Sequence, residues 1–543
     1  MQEGFWVSEG KGKVGKLRKY RHFLNRNTSG DGFCEAIKGE YFVDKSLLIA
    51  FTNQKLSTKE KWICVSKPRR FGKTFALEML DAYYTKNGNA EELFHGLEIK
   101  RTVEFYKHLN KHNVISINFA KYFENYSPCD GGIELLSRHL TEDLKAEYSD
   151  VVEDGMDLSL AFDMIQQEKG EKFIFLIDEW DSIFRYRKGR KKEQEEFLGF
   201  LKDLFKDRAY VELVYMTGIL PIKKYNTGSA LNMFREYTTI DPKSLGRFFG
   251  FSKEELSQLC QKVQRVSMEE LTEWYDGYYV EGVGEMYNPK SVTEALGEGI
   301  CKDYWNKTGG FTELEEYITL NFEGLRDDII HLLTGEKISL NVVGFSNDLE
   351  SFQDKEEVLT ALIHLGYLTY REGFVSIPNK ELREEFSSTV KRLNWGIVSK
   401  LLMQSKKLLN ATLQLDEGQV AQLLEDVHDG MQELKEYNNE HTLKCVIHLA
   451  YYAAADLYEF FFEAPAGKGY ADCVMRPRNS GYPGIIIELK YNKTVQEGML
   501  QIEEKKYMDI FARTGVKEAV LAAVNYDKKT KKHQCRMKKV FLG

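Results

Sequence analysis

The chain has 543 residues, enough for two to four domains with sizeable cores. A net charge of -8 excludes a protein that coats nucleic acid along its whole surface, so any nucleic-acid contact must be local. No apolar run reaches the length of a membrane span, no apolar h-region marks a secretory signal, and the eight cysteines form no C-x-x-C pair.

In chain order, the first residues carry Lys11, Lys13, Lys16, Arg18, Lys19 and Arg21 and read as a flexible basic arm. Asp31 to Ser46 reads as a short extended piece, with Asp44 or Ser46 as a helix N-cap before Leu47. The stretch Trp62-Ile-Cys-Val-Ser-Lys-Pro-Arg-Arg-Phe-Gly-Lys-Thr74 then runs from a strand into a loop, and an amphipathic helix follows at once. That order suits a phosphate, because loop N–H groups and the positive helix end point at the anion. Lys73 would reach the β- and γ-phosphates and the Thr74 hydroxyl would bind Mg²⁺. Lys67 stands where the pattern G-x-x-x-x-G-K-[ST] has its first Gly, and a surface turn with a basic cap is the competing reading.

Val114 to Phe119 is a second strand and Gly131 to Tyr148 a helix. Phe173 to Ile177 is an unbroken apolar run ending in Asp178-Glu179, the pattern of a strand buried on both faces of a parallel sheet. Acids at the C-terminal end of such a strand lie where ligands of open α/β sheets bind. Asp178 is placed to hold Mg²⁺ and Glu179 to polarise an attacking water; a helix N-cap at Asp178 is the alternative. Val211 to Met216 is a fourth strand, tipped by Thr217, which either senses the γ-phosphate or caps the turn.

From about residue 250 the pattern turns helical, starting at Ser252 with Glu255 at the capping-box position. Aromatic-rich turns are expected at Trp274 to Tyr278 and Tyr287 to Pro289. A helix from Lys355 to Leu365 followed by the strands Gly366 to Tyr370 and Phe374 to Ile377 resembles a winged-helix unit, which either contacts DNA or packs as a lid. Residues 387–436 read as helical, with apolar spacing at Leu401, Leu402, Leu408 and Leu409. A helix from about Asn439 to Asp456 precedes three strands, Leu457 to Glu463, Tyr470 to Met475 and Ile485 to Lys490. A helix from Val495 to Phe511 and the strand Glu518 to Val524 close the chain.

Glu488 and Lys490 lie at i and i+2 of one strand and share a face, and a hairpin can bring Asp472 beside them. Two carboxylates can hold a divalent cation through oxygen ligands, and Lys490 can stabilise charge on a pentavalent phosphate. The competing readings are a structural Glu488–Lys490 face or an exposed edge strand. Gln501 and Tyr507, six apart on the next helix, are candidates to orient the phosphate, and Glu440 could add a carboxylate.

Ser66-Lys-Pro-Arg-Arg-Phe-Gly-Lys-Thr74 resembles the Arg-Pro-Arg-Arg-Phe-Gly-Lys-Ser/Thr loop of the AAA-ATPase-like proteins that carry a C-terminal PD-(D/E)XK nuclease superfamily domain. Further resemblances follow in order at Tyr41 to Lys45, Leu176 to Glu179, Thr217-Gly218, Trp274 to Tyr278, Tyr287 to Pro289, Gly366 to Thr369, Ile377 to Asn379 and Gly467 to Gly469 before Asp472. Lys67 replaces the family's usual Arg, and Trp180 its usual Tyr.

The residue patterns and the resemblance together give an α/β protein in four parts, the resemblance supplying the P-loop domain and the restriction-endonuclease-like fold. These are the basic arm, 1–27; a P-loop NTPase parallel sheet of AAA/STAND-like type, 28–250; a helical region with the winged-helix candidate at 355–386, 251–436; and a restriction-endonuclease-like α/β domain, 437–543. The resemblance implies ATP and Mg²⁺ at Lys73, Thr74, Asp178 and Glu179. Arg69, Arg70, Phe71, Gly72 and Thr217 complete the expected nucleotide site, with Arg69 and Arg70 as alternative contacts to the nucleotide. The resemblance also implies a nuclease motif at Asp472, Glu488 and Lys490 that uses Mg²⁺ or Mn²⁺. The functional expectation is an intracellular, cytoplasmic ATPase coupled to cleavage of DNA or RNA, with homo-oligomerisation open and no membrane partner. The alternative is a nucleotide-switched binding or signalling protein whose nuclease-like domain does not cut.

Overall fold

The computed structural model describes residues 21–26, 29–86, 88–126, 128, 131–186, 189–222, 231–305, 311–320, 322–345, 352–395, 397–431, 447–455, 457–479, 481–512, 514–527, 529–530 and 532–542. Glu440 and half of the helix expected from Asn439 to Asp456 lie outside them; within the described half, residues 447–450 are helical and Tyr452–Ala454 is a 3-10 turn. The chain divides into two compact units, the first running to Phe251 and the second taking Ser252–Phe345 and Phe352–Gly543.

The first unit is built on a five-stranded parallel sheet. Its strands are β1 (Trp62–Ser66), β2 (Asn113–Asn118), β3 (Phe173–Asp178), β4 (Val211–Gly218) and β5 (Arg235–Tyr237), in the order β2-β3-β4-β1-β5. Phe173 to Ile177 are fully buried, as their unbroken apolar run requires of a strand covered on both faces. Rings from the flanking helices and from the turn before β4 pack in one cluster: Phe162 stacks on Tyr210 at 4.7 Å, and Phe119 meets Phe197 edge-on at 4.8 Å. Because the strands are parallel, all their C-terminal ends open on one edge. The register sets Asn118 beside Asp178, Val65 beside Thr217, and Ser66 beside Gly218.

Two segments here differ from their sequence reading. Ser29–Lys38 is a helix, not an extended piece. Its glycines, Gly30 and Gly32, lower helix propensity, but burying Phe33 against Phe75 and Phe94 (5.6 and 5.1 Å) outweighs that cost. Residues 21–26, read as part of the basic arm, dock on β2. Leu24 bridges to Ile115 and is fully buried, and Asn25 N–H donates to the Val114 carbonyl at 2.8 Å.

The second unit opens with the helix Lys253–Val263, capped by the reciprocal Ser252–Glu255 box. The expected aromatic turns are more ordered than turns. Trp274 and Tyr275 end the helix Met268–Tyr275, and Tyr278–Val280 pairs with Gly284–Tyr287 as a small hairpin. Gly277 is required between them: its φ is +90°, and a Cβ there would stand 2.0 Å from the Pro378 carbonyl oxygen. Asn379 Nδ2 donates to the Asp276 carbonyl at 2.9 Å, so two of the resemblance's motifs lock onto each other structurally.

The helix Lys355–Leu365 leads to the hairpin Thr369–Arg371 and Phe374–Ser376, and Ile338–Ser339 adds a third strand. From Glu357 to Leu365 every residue of that helix is buried, so it offers no free face to a DNA groove. The helices Lys380–Arg392, Ile397–Leu413 and Glu417–Met431 follow, with Leu401, Leu402, Leu408 and Leu409 buried as their spacing predicts.

The chain ends in a five-stranded mixed sheet. Its strands are β6 (Tyr458–Ala466), β7 (Gly469–Pro477), β8 (Gly484–Tyr491), β9 (Glu518–Asp527) and β10 (Lys532–Phe541), paired in that order. β8 and β9 are parallel and joined through the helix Val495–Glu504; the other pairs are antiparallel. The helix expected to run from Val495 to Phe511 breaks at Lys506, whose φ is 55°, and resumes as a 3-10 turn, Tyr507–Phe511. The cause is the β6–β7 hairpin. Gly467 presses on the Lys505–Lys506 backbone so closely that a Cβ would lie 2.1 Å from the Lys505 carbonyl oxygen, and Lys468 N–H donates to that oxygen at 2.7 Å. No helix among the described residues is long and apolar enough to cross a membrane.

Candidate nucleotide and metal sites

At the C-terminal edge of the first sheet, the loop after β1 turns into the helix Lys73–Tyr84 through Gly72, whose φ is +89°. Among the described residues other than its chain neighbours, no heavy atom lies within 4 Å of where a Gly72 Cβ would stand. Lys73 is buried and folds back over the loop, donating to the carbonyls of Lys67 and Pro68 at 2.9 and 2.8 Å. Burial lowers its pKa, against the pull of Glu179 and Asp178.

Lys67 is also buried, and burial brings its pKa down to about 7, with Asp241 acting in the opposite sense. Its ammonium donates to the Thr238 carbonyl at 2.9 Å. In the position of the missing glycine, Lys67 therefore ties the loop to the segment after β5. Arg69 and Arg70 are half-buried and engaged, Arg70 with φ 70°. Phe71 is buried, and its carbonyl accepts from Gly250 N–H at 3.2 Å, so it seats the loop.

Asp178 collects the strand ends. Its Oδ2 accepts from the Thr74 hydroxyl at 2.9 Å and from Asn118 Nδ2 at 3.0 Å. Its Oδ1 accepts from the Thr217 hydroxyl at 2.6 Å and from Glu179 N–H at 3.1 Å. Thr74, Asp178 and Thr217 thus meet, and Asn118 joins them from β2. An aspartate beside a hydroxyl at the foot of a phosphate loop is a donor set that suits a hard divalent cation. Glu179 has φ 53° and its carboxylate pairs with Arg185. The Arg185 Nε also reaches Asp181 at 3.2 Å, and Asp181 accepts the N–H groups of Ile219 and Leu220 at 3.0 and 2.9 Å.

Asn118, Asp181 and Arg185 were not singled out from sequence. Asn118 had a signal, as the polar residue ending an apolar strand, like Asp178 and Thr217. The i,i+4 spacing of Asp181 and Arg185 was a second signal.

The second constellation lies on the face of the C-terminal sheet covered by the helix Val495–Glu504. The β7–β8 ladder pairs Cys473 with Ile487. One step on, Asp472 instead accepts Leu489 N–H through Oδ2 at 2.7 Å. Asp472 is thereby held at the mouth of the strand pair, beside Glu488.

Glu488 is 1% exposed. Its Oε1 accepts from the Lys490 ammonium at 2.5 Å, and Oε2 is buried with no hydrogen-bond partner among the described residues. Burial pushes the Glu488 carboxyl above its usual range; the Lys490 hydrogen bond opposes this and the charge of Asp472 adds to it. Lys490 also donates to Gln501 Oε1 at 2.8 Å. Gln501 Nε2 donates to the Tyr507 hydroxyl at 2.9 Å, which donates to the Tyr470 carbonyl at 2.6 Å.

Asp472, Glu488, Lys490 and Gln501, four of the six residues expected here from sequence, therefore form one cluster. Tyr507 joins it from the 3-10 turn rather than from the helix. An unpaired oxygen on a buried carboxylate is costly, and a cation held by Asp472 and Glu488 would satisfy it, so these residues fit a divalent metal.

Comparison with known proteins agrees with this division. Residues 33–227 match the family model described as predicted AAA-ATPase, and residues 438–535 the one described as PD-(D/E)XK nuclease superfamily. The chain thus carries one domain of each kind, and such domains in general use a nucleotide and a divalent metal. No curated protein matches the chain. Among solved structures it is similar to a Walker-type ATPase of Pyrococcus abyssi, at 12% identity over 63% of this chain and 94% of that one, with a TM-score of 0.32. It is also similar to the ORC2 protein of Aeropyrum pernix in its ADPNP–ADP complexes (12% identity, 69% and 97% covered, TM-score 0.29) and to Cdc6p from Pyrobaculum aerophilum (11%, 64% and 93%, TM-score 0.23).

Proposed function

We propose that this chain, with its AAA-ATPase-like and PD-(D/E)XK nuclease superfamily domains, is an ATP-dependent nuclease that cuts DNA or RNA with Mg²⁺ or Mn²⁺. The observation that carries this reading is Glu488 Oε2, buried beside Asp472 with no partner among the described residues, in a cluster that also holds Lys490 and Gln501.

In this reading Asp472 and Glu488 hold the metal, which supplies charge neutralisation at phosphorus and an acidified water. Lys490 stabilises the charge that develops on the phosphate. Gln501 fixes the Lys490 ammonium, and the Tyr507 hydroxyl fixes Gln501, so the cation is oriented before substrate arrives. The Asp472–Leu489 N–H bond sets the spacing between the two carboxylates.

At the first site, Lys73 and the loop N–H groups bind the ATP phosphates, with Arg69, Arg70 and Gly72 close around them. Thr74 and Asp178 hold Mg²⁺, and Thr217, bonded to Asp178, senses the γ-phosphate. Glu179 orients the attacking water, and Arg185 holds the Glu179 carboxylate in place.

The test is cleavage of single- and double-stranded DNA and RNA by wild type, Asp472→Ala and Lys490→Ala, each with and without ATP, in Mg²⁺ or Mn²⁺. Metal-dependent cleavage that falls in both variants supports the reading. Full cleavage by either variant overturns it. Binding of nucleic acid with no cleavage under any condition points to the non-cutting, nucleotide-switched alternative.

A further inference from the structure

The tip of the β6–β7 hairpin, Gly467-Lys-Gly469, belongs to neither ligand set, yet both of its glycines make room for one residue, Lys505. At Gly467 a Cβ would lie 2.1 Å from the Lys505 carbonyl oxygen, which accepts from Lys468 N–H at 2.7 Å. At Gly469 a Cβ would stand 2.6 Å from Lys505 Cδ, 3.3 Å from its Nζ and 3.3 Å from Tyr507 Cε1. The Lys505 backbone is thus bonded to the tip, and its stem lies across Gly469 beside the Tyr507 ring.

Both neighbours lead to the metal cluster. The Tyr507 hydroxyl accepts from Gln501 Nε2, and Lys505 N–H donates to the Gln501 carbonyl at 3.1 Å, one helical turn away. After burial, Lys490 and Asp472, the charge of Lys505 is the next influence on the Glu488 carboxyl and draws its pKa down, so the two groups lie within electrostatic reach. The Lys490 ammonium is engaged by Glu488 and Gln501. Lys505 is half-buried and Lys468 exposed, and neither ammonium has a hydrogen bond or ion pair among the described residues. A lysine whose stem is fixed and whose charge is unpaired is a cation placed in advance of an anion. In a chain of net charge -8, it supplies the local contact that nucleic acid requires.

We propose that Lys505, with Lys468 beside it, forms a binding site for a backbone phosphate of the nucleic-acid substrate, the one flanking the phosphate held by the metal and Lys490. The place of the metal-held phosphate rests on the nuclease reading, whereas the flanking contact is one of charge and is measurable without cleavage. Lysine meets a phosphate as a point charge, and a contact to the backbone positions a strand of any sequence.

The experiment measures binding of fluorescein-labelled DNA and RNA oligonucleotides, single- and double-stranded, by fluorescence anisotropy across a KCl series. The full-length Asp472→Ala protein is used so that the probes stay uncut. Adding Lys505→Ala should weaken binding about tenfold at low salt and reduce the slope of log affinity against log salt by roughly 0.7–0.9, the share of one phosphate. Lys505→Arg should keep both near the parent values. With Asp472 intact, Lys505→Ala should raise KM about tenfold and hold kcat within about twofold, a split that a loosened fold would not give. Unchanged affinity and slope in Lys505→Ala, a fall in kcat at constant KM, or no oligonucleotide binding by the parent would each overturn the proposal. Affinity that falls in Lys505→Ala while no condition gives cleavage upholds the phosphate contact and overturns the nuclease reading alone.

Discussion

The two constellations handle the groups placed to face a ligand in opposite ways, although Asp181 Oδ1, behind the first, is also buried with no hydrogen-bond partner among the described residues. In the first unit the ligand-facing groups are paired among themselves: Lys73 with two loop carbonyls, and both Asp178 oxygens with Thr74, Asn118, Thr217 and the Glu179 N–H. In the second unit Glu488 keeps one oxygen buried and unpaired beside another carboxylate. A ligand at the first site exchanges one set of hydrogen bonds for another, which yields a modest net gain per bond. A cation at the second site removes a standing cost. The first arrangement suits a site that binds and releases with a nucleotide cycle, and the second a site that retains its metal.

The sharpest way to break this contrast is a crossed pair of variants. Asp472→Ala should lower metal-dependent cleavage by at least about a thousand-fold, roughly 4 kcal/mol of transition-state stabilisation, while nucleotide binding stays at the wild-type level. Lys73→Ala should abolish nucleotide binding, measured with a fluorescent ATP analogue, and leave untouched the melting-temperature rise that Mn²⁺ produces. If Lys73→Ala also removes the Mn²⁺ response, the two sites are not separable and the contrast fails.

A second prediction concerns Arg185, whose side chain is 2% exposed between Glu179 and the fully buried Asp181. Arg185→Ala leaves the Asp181 charge without its cation, and stranding a buried charge costs roughly 3–5 kcal/mol. The expected outcome is a lowered first transition in thermal or urea unfolding, with the C-terminal sheet unaffected in hydrogen exchange. A smaller effect follows from Gly218→Ala. Its Cβ would stand 2.6 Å from Trp180 Nε1 and 2.7 Å from Asp181 Oδ1, an overpacking worth about 1–3 kcal/mol. An unchanged melt in that variant would mean that Trp180 can yield.

How much of this was legible follows from which forces were local. β3 was readable because an unbroken apolar run has few other homes, and Glu488 and Lys490 because strand alternation alone puts them on one face. The helix Ser29–Lys38 was hidden, since its helicity depends on burying Phe33 against rings more than forty residues downstream. The break before Tyr507 was hidden too, because it is imposed by Gly467 from across the sheet. β10 was passed over although Cys535 and Met537 alternate with charged residues, because those charges mask a half-buried strand. Lys67 read as a defect of the loop, and only the contact with the Thr238 carbonyl shows what the long side chain reaches.

The mildest prediction sharpens the comparison most directly, because it uses pH to set the cost that a metal removes. The Glu488 carboxyl is raised in the folded state, first by burial and then by Asp472. Between its unfolded and folded pKa values the folded chain therefore holds a proton that the unfolded chain has lost. That contribution to stability is fully present below the unfolded value and disappears as pH rises through the folded one. Metal must displace the same proton, so affinity should fall roughly tenfold for each pH unit below the folded pKa of Glu488. Mn²⁺ should accordingly raise the melting temperature little in acid and progressively more as pH rises, reaching a plateau above the folded value. Asp472→Asn removes the neighbouring charge, so it should lower that midpoint even as it weakens the metal. Glu488→Ala should leave the residual Mn²⁺ response without this midpoint. A response in wild type that tracks an ordinary carboxylate instead would show that Glu488 already shares its second oxygen with water, and the two sites would then differ in sequence but not in electrostatic character.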